Sequence, residues 1–187
     1  MFRSALKKIK HRRLRAKLLA TLPKHAVCAE IGVWRGEFSR EILERTSPKE
    51  LHLIDPWAFQ PQFPKRWYGG RIAKSQRDMD SIHDGVAAAF KAHPEVVIHR
   101  GPSAEVLPEF PEAYFDWTYV DGDHEFDGVM TDLELSRQKV RKGGFIVGDD
   151  LDWGPELGLP VRRAMDEFAT KHGLQPKIMG TQFVIQV

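Results

Sequence analysis

Acidic residues gather at two points of the sequence, and at both points they directly follow a short apolar run. Asp121 and Asp123 come after residues 115–120, and Asp149 and Asp150 come after residues 145–147 and Gly148. Apolar runs of this length are typical of buried strands in a parallel sheet, whose carboxyl ends meet at one edge. Carboxylates at one edge repel each other unless a cation lies between them, and grouped carboxylate oxygens suit Mg²⁺. We therefore expect a divalent cation at this edge.

A glycine turn near the start of the chain is the second chemical signal. An apolar run over residues 26–31 leads into Gly32 and Gly36, and the next apolar run, over residues 51–54, ends at Asp55. Glycine lets the backbone approach a ligand closely, and a carboxylate at a strand end can hold the two hydroxyls of a ribose. This combination predicts a site for a cofactor that contains a nucleoside.

The turn differs from the dinucleotide-binding fingerprint because Glu30 stands at the first glycine position. This difference, together with acids at three strand ends, disfavours an NAD-linked oxidoreductase. The pattern Glu30-x-Gly32-x-x-x-Gly36, with Asp55 after the next strand, resembles the cofactor motif of class I S-adenosylmethionine-dependent methyltransferases. The resemblance implies that Glu30 lies near the methionine part of the cofactor and that Asp55 binds the ribose hydroxyls.

The resemblance extends over residues 26–150. It implies that Gly101 and Ser103, after the third strand, contact the adenine side of the cofactor. Ser103 is also a candidate N-cap for a short helix over residues 104–107. The candidate cofactor-binding residues share a place in the turns that follow predicted strands: Glu30, Gly32, Trp34, Gly36, Asp55, Trp57, Gly101, Ser103 and Asp121.

Two further segments sharpen the resemblance. Residues 120–124 are Val-Asp-Gly-Asp-His, and residues 148–150 are Gly-Asp-Asp. Both segments are similar to segments of the small-molecule methyltransferases of sugar and natural-product tailoring and of the metal-dependent O-methyltransferases. The resemblance implies that Asp121, Asp149 and Asp150 coordinate Mg²⁺. The alternative is that these acids cap the following helices and are solvated.

His124 departs from the metal-dependent relatives, which carry another residue at its position. Its ordinary pKa of about 6.5 leaves it largely neutral at pH 7, so it is a candidate general base for a substrate hydroxyl. The alternative is a surface histidine at the start of a helix. The candidate catalytic residues are Asp121 and His124.

Two irregular loops follow predicted strands at the same edge. Residues 56–70 contain three prolines and five aromatic residues and show neither helical nor strand periodicity. Long loops in compact domains usually carry function, so we interpret this loop as a lid over cofactor and substrate, with a hydrophobic plug as the alternative. A second loop, residues 151–158, offers Trp153 as a wall of the substrate site.

The elements that must position these residues form an α/β pattern. We predict a three-layer α/β sandwich of the Rossmann-like class I methyltransferase type, with a mostly parallel seven-stranded sheet and a C-terminal antiparallel hairpin over residues 175–187. The predicted domain comprises residues 25–187, and residues 1–24 form a basic N-terminal helix. The helices are predicted over residues 2–22, 37–45, 79–91, 104–107, 127–140 and 160–172.

The N-terminal segment holds much of the positive charge. Residues 1–29 carry nine of the 28 Lys and Arg residues and no acid. Its apolar positions follow a helical spacing: Phe2, Leu6, Ile9, Leu14, Leu18 and Leu22. A basic cluster lies between them: Lys7, Lys8, Lys10, Arg12, Arg13 and Arg15.

Three interpretations of this N-terminal segment stay open: a helix packed on the domain, an arm for an anionic membrane or nucleic acid, and a partner-binding helix. Nucleic acid is the weakest of these, because aromatic residues that could stack on bases are not interleaved with the basic ones.

Composition places the chain among ordinary globular proteins. With 42% hydrophobic and 29% charged residues among 187, a wholly disordered chain is excluded. The sequence shows no apolar run of the roughly 20 residues that a membrane span needs and no signal peptide. The single cysteine, Cys28, is expected to be a small buried hydrophobe in a reducing cytoplasm. The sequence leaves monomer and homodimer open.

Together these features predict methyl transfer from S-adenosylmethionine to an oxygen of a small hydroxylated acceptor, such as a sugar or a diol-bearing metabolite, with assistance from Mg²⁺. The alternative function is a non-catalytic cofactor-binding or scaffold protein that docks a partner or a membrane through its basic helix.

Overall fold

A single seven-stranded sheet forms the centre of the protein. The computed structural model describes residues 2–187, with the exception of the side chains of residues 2–8 and 10. The strands, in chain order, are β1 Val27–Ile31, β2 Glu50–Asp55, β3 Val96–Arg100, β4 Phe115–Val120, β5 Val140–Gly148, β6 Lys177–Met179 and β7 Gln182–Gln186. Their order in the sheet is β3-β2-β1-β4-β5-β7-β6. Strands β1 to β5 pair in parallel, and β7 is antiparallel to both β5 and β6.

Helices cover both faces of the sheet, which confirms the predicted three-layer α/β sandwich. They are α1 Phe2–Leu19, α2 Glu37–Thr46, α3 Gln76–Phe90, α4 Ser103–Val106, α5 Phe126–Lys139 and α6 Pro160–His172. Buried residues of α1, α2 and α3 join one apolar cluster, and those of α4, α5 and α6 join the other. Strand β2 faces both clusters, because Leu51 and Leu53 belong to the first and Ile54 to the second. This explains why apolar residues occur on both faces of this strand.

The strand order reverses direction between β1 and β4. From β1 the chain adds β2 and β3 on one side, whereas β4 and β5 lie on the other. Ligands of open α/β sheets bind at such a switch point, outside the carboxyl ends of the strands. The predicted site residues Gly32, Asp55, Asp121, Asp149 and Asp150 all follow the ends of strands at this edge.

Helix α1 packs into the core through its C-terminal end. Leu18 and Leu19 are fully buried, whereas Ile9 is 51% exposed. The helix ends at Leu19 instead of the predicted residue 22, and Leu22 is buried in the turn that follows. Five side chains of the predicted helix lie outside the described part of the structure: Phe2, Leu6, Lys7, Lys8 and Lys10. In the described part of α1, the interpretation as a helix packed on the domain therefore applies.

Other boundaries also differ from the sequence prediction, and α3 begins at Gln76 instead of residue 79. Pro102 is the N-cap of α4 and Ser103 is its first helical residue, so the predicted capping role of Ser103 is wrong. Strand β5 begins at Val140, which the sequence assigned to the preceding helix. Within residues 2–187, none of the helices combines the length and the apolar character that a membrane span requires.

If α1 is part of the core, truncating its buried face will destabilise the whole fold. We expect Leu18→Ala to lower the free energy of unfolding by about 2–5 kcal/mol, because it leaves a cavity among fully buried side chains. Ile9→Ala, on the exposed side of the same helix, is the matched control and should change stability by less than about 0.5 kcal/mol. Urea unfolding followed by circular dichroism measures both. Equal, small effects would contradict the core position of α1.

Candidate active site

Asp55, at the end of β2, connects the turn after β1, the turn after β2 and the Tyr68 segment of the long loop. One oxygen, Oδ2, accepts hydrogen bonds from the backbone N–H groups of Val33 at 2.9 Å and Trp34 at 3.0 Å, and from the Tyr68 hydroxyl at 2.6 Å. The other, Oδ1, accepts from the Trp57 backbone N–H at 2.7 Å. Burial raises the pKa of Asp55, and these hydrogen bonds oppose the rise. The carboxylate thus joins the glycine turn to the long loop of residues 56–70.

The bond between Tyr68 and Asp55 has the chemistry of a ribose site. A neutral hydroxyl donates to a buried carboxylate at a strand end, as a ribose hydroxyl would, so Asp55 fits a cofactor with a ribose diol. The Trp34 ring lies 4.8 Å from that of Tyr68 and 5.7 Å from that of Trp67. Trp57 is fully buried, and its indole N–H donates to the Trp34 carbonyl at 2.8 Å. Aromatic rings therefore line the turn that follows β1.

Gly32 is required because two loops touch at its position. Its φ is +88°, and a Cβ there would lie 2.2 Å from the carbonyl oxygen of Asp121. The Asp121 N–H donates to the Ile31 carbonyl at 2.8 Å, which holds the ends of β1 and β4 together. Gly36 is the N-cap of α2, and a Cβ there would lie 2.9 Å from the Phe90 ring of α3. In this structure both glycines permit close packing around the turn.

Three residues with side chains have a left-handed backbone at this edge. Trp34 has φ 55°, Trp57 has φ 39° and Asp150 has φ 59°. Such conformations cost about 1–3 kcal/mol each and persist only where surrounding contacts enforce them. Three of the seven such residues in the described chain therefore lie in turns that follow β1, β2 and β5, at the predicted site.

Glu30 lies inside the protein, beneath the glycine turn. The residue is 1% exposed, and its carboxyl group is hydrogen-bonded to the Ser39 hydroxyl of α2. Burial raises the pKa of Glu30 to about 8, while the bond from Ser39 opposes the rise. Glu30 thus supports the turn from within, and a direct contact with the methionine part of the cofactor stays a prediction.

The two residues predicted near the adenine make contacts with neighbouring elements. The Gly101 N–H donates to the backbone carbonyl of Asp55 at 3.1 Å. The Ser103 hydroxyl is hydrogen-bonded to Asp132 of α5. Burial raises the pKa of Asp132 to about 7, and the Ser103 hydroxyl opposes this effect. Gly101 therefore lies beside the Asp55 strand end, whereas the hydroxyl of Ser103 is engaged with α5.

Asp121, Asp149 and Asp150 form a cluster that we call the acidic centre, and α1 supplies cations to it. The Arg15 guanidinium donates from Nη2 to Asp121 at 2.5 Å and from Nε to Asp149 at 2.9 Å. His11, one helical turn earlier, places Nε2 2.8 Å from Asp149. A guanidinium therefore lies between the two carboxylates that the sequence places at neighbouring strand ends.

The Asp149 side chain is fully buried, and the chain's own donors surround both of its oxygens. Oδ1 accepts from the Thr181 hydroxyl and from the Asp150 N–H, each at 2.8 Å. Besides Arg15 and His11, Oδ2 accepts from the Tyr119 hydroxyl at 3.1 Å and the Gln182 amide at 3.2 Å.

Burial alone would raise the pKa of Asp149, but the hydrogen bond from His11 and the charge of Arg15 hold it well below its usual range. Burial raises the pKa of Asp121 to about 7, and the Arg15 charge opposes the rise. Arg15 thus bridges two carboxylates whose pKa values are shifted in opposite directions, downward for Asp149 and upward for Asp121.

His124 lies beside the acidic centre. Its Nε2 is 2.9 Å from Asp150 and 4.0 Å from Asp121, and its ring centroid is 5.1 Å from that of Trp153. Burial lowers the pKa of His124, but the hydrogen bond with Asp150 and the charge of Asp121 outweigh burial, so the pKa is raised overall. The structure thus brings together both predicted catalytic residues, Asp121 and His124, and the predicted wall, Trp153.

Arg66 connects the two irregular loops. Its guanidinium lies 4.1 Å from the Phe63 ring centroid and 5.3 Å from that of Trp153, and it pairs with Glu125. The loop of residues 56–70 therefore meets Trp153 of the second loop next to the catalytic candidates. Its role as a lid over cofactor and substrate stays a prediction.

The predicted set of three aspartates does not fit a shared Mg²⁺ in this arrangement. Among the described residues, two groups of side chains bring their donor atoms within 4.8 Å of one another: His11 with Asp149 and Asp150, and Asp121 with His124 and Asp150. The predicted set of three aspartates is not one of these groups. Arg15 separates Asp121 from Asp149, and the oxygens of Asp149 are engaged by protein donors.

The sequence analysis did not identify several of the functional candidates. Arg15 was one of nine cations near the N-terminus, and only its four-residue spacing from His11 marked a shared helix face. Tyr68 lay in a loop without periodicity, so its bond with Asp55 had no sequence signal beyond the density of aromatic residues. Arg66 likewise gave no signal.

The sequence matches the family described as a methyltransferase domain over residues 29–151, well over half of the chain. An uncharacterized protein of Acanthamoeba polyphaga mimivirus is 27% identical over 133 residues, which are 68% of this chain and 54% of that protein. The chain therefore spans about half the length of this curated relative.

Solved structures share the fold. The O-methyltransferase NovP superposes with a TM-score of 0.65 at 20% identity, covering 92% of this chain and 79% of NovP. The O-methyltransferase TomG from Streptomyces achromogenes, which is involved in tomaymycin synthesis and was solved in complex with S-adenosylmethionine, gives 0.64 at 18% identity. That match covers 93% of this chain and 78% of TomG. At these identities the likeness shows the fold.

The buried acid Glu30 makes stability depend on pH. Between pH 4.5 and about 8 the unfolded chain releases the Glu30 proton and the folded protein keeps it, so the free energy of unfolding falls as pH rises. We expect Glu30→Gln to flatten this decline, by roughly 1.4 kcal/mol for each unit of pKa shift removed. Asp132 leaves a residual slope. Urea unfolding across this pH range measures the effect; the exposed Glu44→Gln is the control, and an unchanged slope in Glu30→Gln would contradict the assignment.

Proposed function

The chain belongs to the methyltransferase-domain family, and on that basis we propose that it transfers the methyl group of S-adenosylmethionine to an oxygen of a small hydroxylated acceptor. The main support is the Asp55 carboxylate, which is buried at the end of β2 and accepts a hydroxyl hydrogen bond. A carboxylate at this position suits the ribose diol of the cofactor. The acceptor class that we propose is a sugar or a diol-bearing metabolite.

The cofactor would lie along the turns that follow β1 and β2. Asp55 would take the ribose hydroxyls, which requires the Tyr68 hydroxyl to give up its place. Trp34 flanks this position, and Gly32 keeps the β1 turn close to Asp121. Glu30 and Gly36 contribute indirectly, because they shape the turn from the interior and from the start of α2.

The bound cofactor supplies a methyl group that is already activated on a sulfonium. The protein then needs to align the acceptor oxygen with that methyl group and to remove the hydroxyl proton. Asp121 and His124 are the proposed groups for this task, because they lie 4.0 Å apart at the end of β4. Asp150 orients His124 through a 2.9 Å hydrogen bond, which is the usual arrangement of a base and its positioning carboxylate.

A hydroxylated acceptor matches the surroundings of these two groups. Trp153 provides an aromatic face 5.1 Å from the His124 ring, and Arg66 brings the loop of residues 56–70 to the same place. An aromatic wall beside carboxylates suits a ring that carries hydroxyl groups. That NovP and TomG are named O-methyltransferases supports oxygen as the acceptor atom.

Within the residues that the structure describes, no contact favours the alternative of a scaffold that docks through its basic helix. Leu18 and Leu19 of α1 are buried in the core, and Arg15 is bound to the acidic centre. The buried face of α1 is thus engaged within the chain, whereas Ile9 and Arg12 are exposed. The division into a helix over residues 1–24 and a domain over residues 25–187 stays a prediction.

Cofactor binding can be tested by calorimetric titration with S-adenosylhomocysteine. We expect Asp55→Asn to weaken binding roughly 10-fold or more, because it removes a charged acceptor for the ribose hydroxyls. Tyr68→Phe keeps the three backbone bonds of Asp55 and should bind at least as tightly as the wild type, since its competing hydroxyl is gone. Asp84→Asn, with 79% of its side chain exposed, is the control. Wild-type protein without affinity would overturn the proposal.

Proton removal can be tested with catechol and methyl glucoside as vicinal-diol probes and mass spectrometry of the products. With a probe that is methylated, His124→Gln should lower kcat by about 100-fold or more and leave the affinity for S-adenosylhomocysteine unchanged. His93→Gln, a partly exposed histidine outside the acidic centre, is the control. An unchanged kcat in His124→Gln would remove this residue from the proposed reaction.

A further inference from the structure

Helix α1 delivers one side chain into the space between the ends of β4 and β5. Arg15 contacts Asp121 at 2.5 Å through Nη2 and Asp149 at 2.9 Å through Nε, and its side chain is 20% exposed. We propose that Arg15, together with His11, is the resident cation of the acidic centre and occupies the place that a divalent metal would need. Asp121 and Asp149 would then share no metal ion.

The hydrogen bonds of Asp149 leave no room for a metal bond. A carboxylate offers about four lone-pair directions. Asp149 accepts two bonds at Oδ1 and has four donors within 3.2 Å of Oδ2, including Arg15 and His11. A metal ion could reach this carboxylate only after Arg15 and His11 had left it.

Arg15 is held from several sides. Its guanidinium lies 4.4 Å from the ring centroid of Phe38 and 5.9 Å from that of Tyr119. The buried residues Leu18 and Leu19 follow within little more than one helical turn and fix α1 to the core. An arginine anchored in this way keeps its planar fork aligned with both carboxylates.

The remaining members of the acidic centre are also engaged. The second oxygen of Asp121 faces His124 at 4.0 Å, and His124 itself is bonded to Asp150 at 2.9 Å. Asp121 and Asp149 thus face the cationic side chains of α1, namely Arg15 and His11. This pairing meets the need for counter-charge that the clustered acids create. Arg15 is therefore a positioning residue, since it holds Asp121 and Asp149 in a fixed relation.

Binding of Mn²⁺, followed by calorimetry and by electron paramagnetic resonance of the free ion, tests this proposal. The titration contains no methyl donor or acceptor, so its result is separate from that of the proposed function. We expect no stoichiometric site in the wild type. The Arg15→Gln variant should bind one Mn²⁺ ion per chain, with an affinity at least tenfold higher than any Mn²⁺ binding by the wild type. The double variant with Arg15→Gln and Asp149→Asn should lose this site. Arg12→Gln is the matched control, because it removes an exposed arginine of the same helix that pairs with Glu41.

A wild-type protein that binds one Mn²⁺ per chain, with the site lost in Asp149→Asn, would overturn the proposal. An Arg15→Gln protein with wild-type thermal stability and no gain of Mn²⁺ binding would also contradict it, since a bridging cation cannot be removed without consequence. Should Arg15→Gln fail to fold, Arg15→Lys retains a charge that cannot bridge as a fork, and it should be less stable than the wild type. The wild-type titration decides the question in either case.

Discussion

The interaction on which the site depends is the bridge from Arg15 to Asp121 and Asp149. These two carboxylates follow neighbouring strands, so the parallel sheet brings them together whatever the rest of the chain does. Buried like charges are unfavourable without a partner, and the guanidinium of α1 provides one in a geometry with two hydrogen bonds. The N-terminal helix is thereby part of the site as well as part of the core.

Around this bridge, close contacts between turns set the positions of the other functional groups. The Gly32 backbone touches the Asp121 carbonyl, and Asp55 binds the backbone of the β1 turn and the Tyr68 hydroxyl. The left-handed conformations of Trp34 and Asp150 belong to the same set of constraints. A site held by so many short-range contacts is pre-organised for aligning an acceptor with a methyl group, which is the main task in the proposed reaction.

The fold and the strand-end acids could be predicted because both follow from local pattern. Continuous apolar runs mark buried parallel strands, and an acid directly after such a run must lie at the carboxyl edge. The partners of those acids could not be predicted. Arg15 lies 106 residues from Asp121 and 134 from Asp149, and its selection among nine N-terminal cations depends on how α1 docks. Tyr68 reaches Asp55 from a loop without periodicity, and Glu30 turns inward to Ser39 because α2 packs over it.

The most direct measurement is a crystal structure of the full chain grown with Mn²⁺ and S-adenosylhomocysteine, with anomalous diffraction recorded at the manganese edge. We expect the Arg15 guanidinium between Asp121 and Asp149, without an anomalous peak at the acidic centre. A manganese peak bonded to Asp121, Asp149 and Asp150, with Arg15 displaced from them, would contradict this expectation.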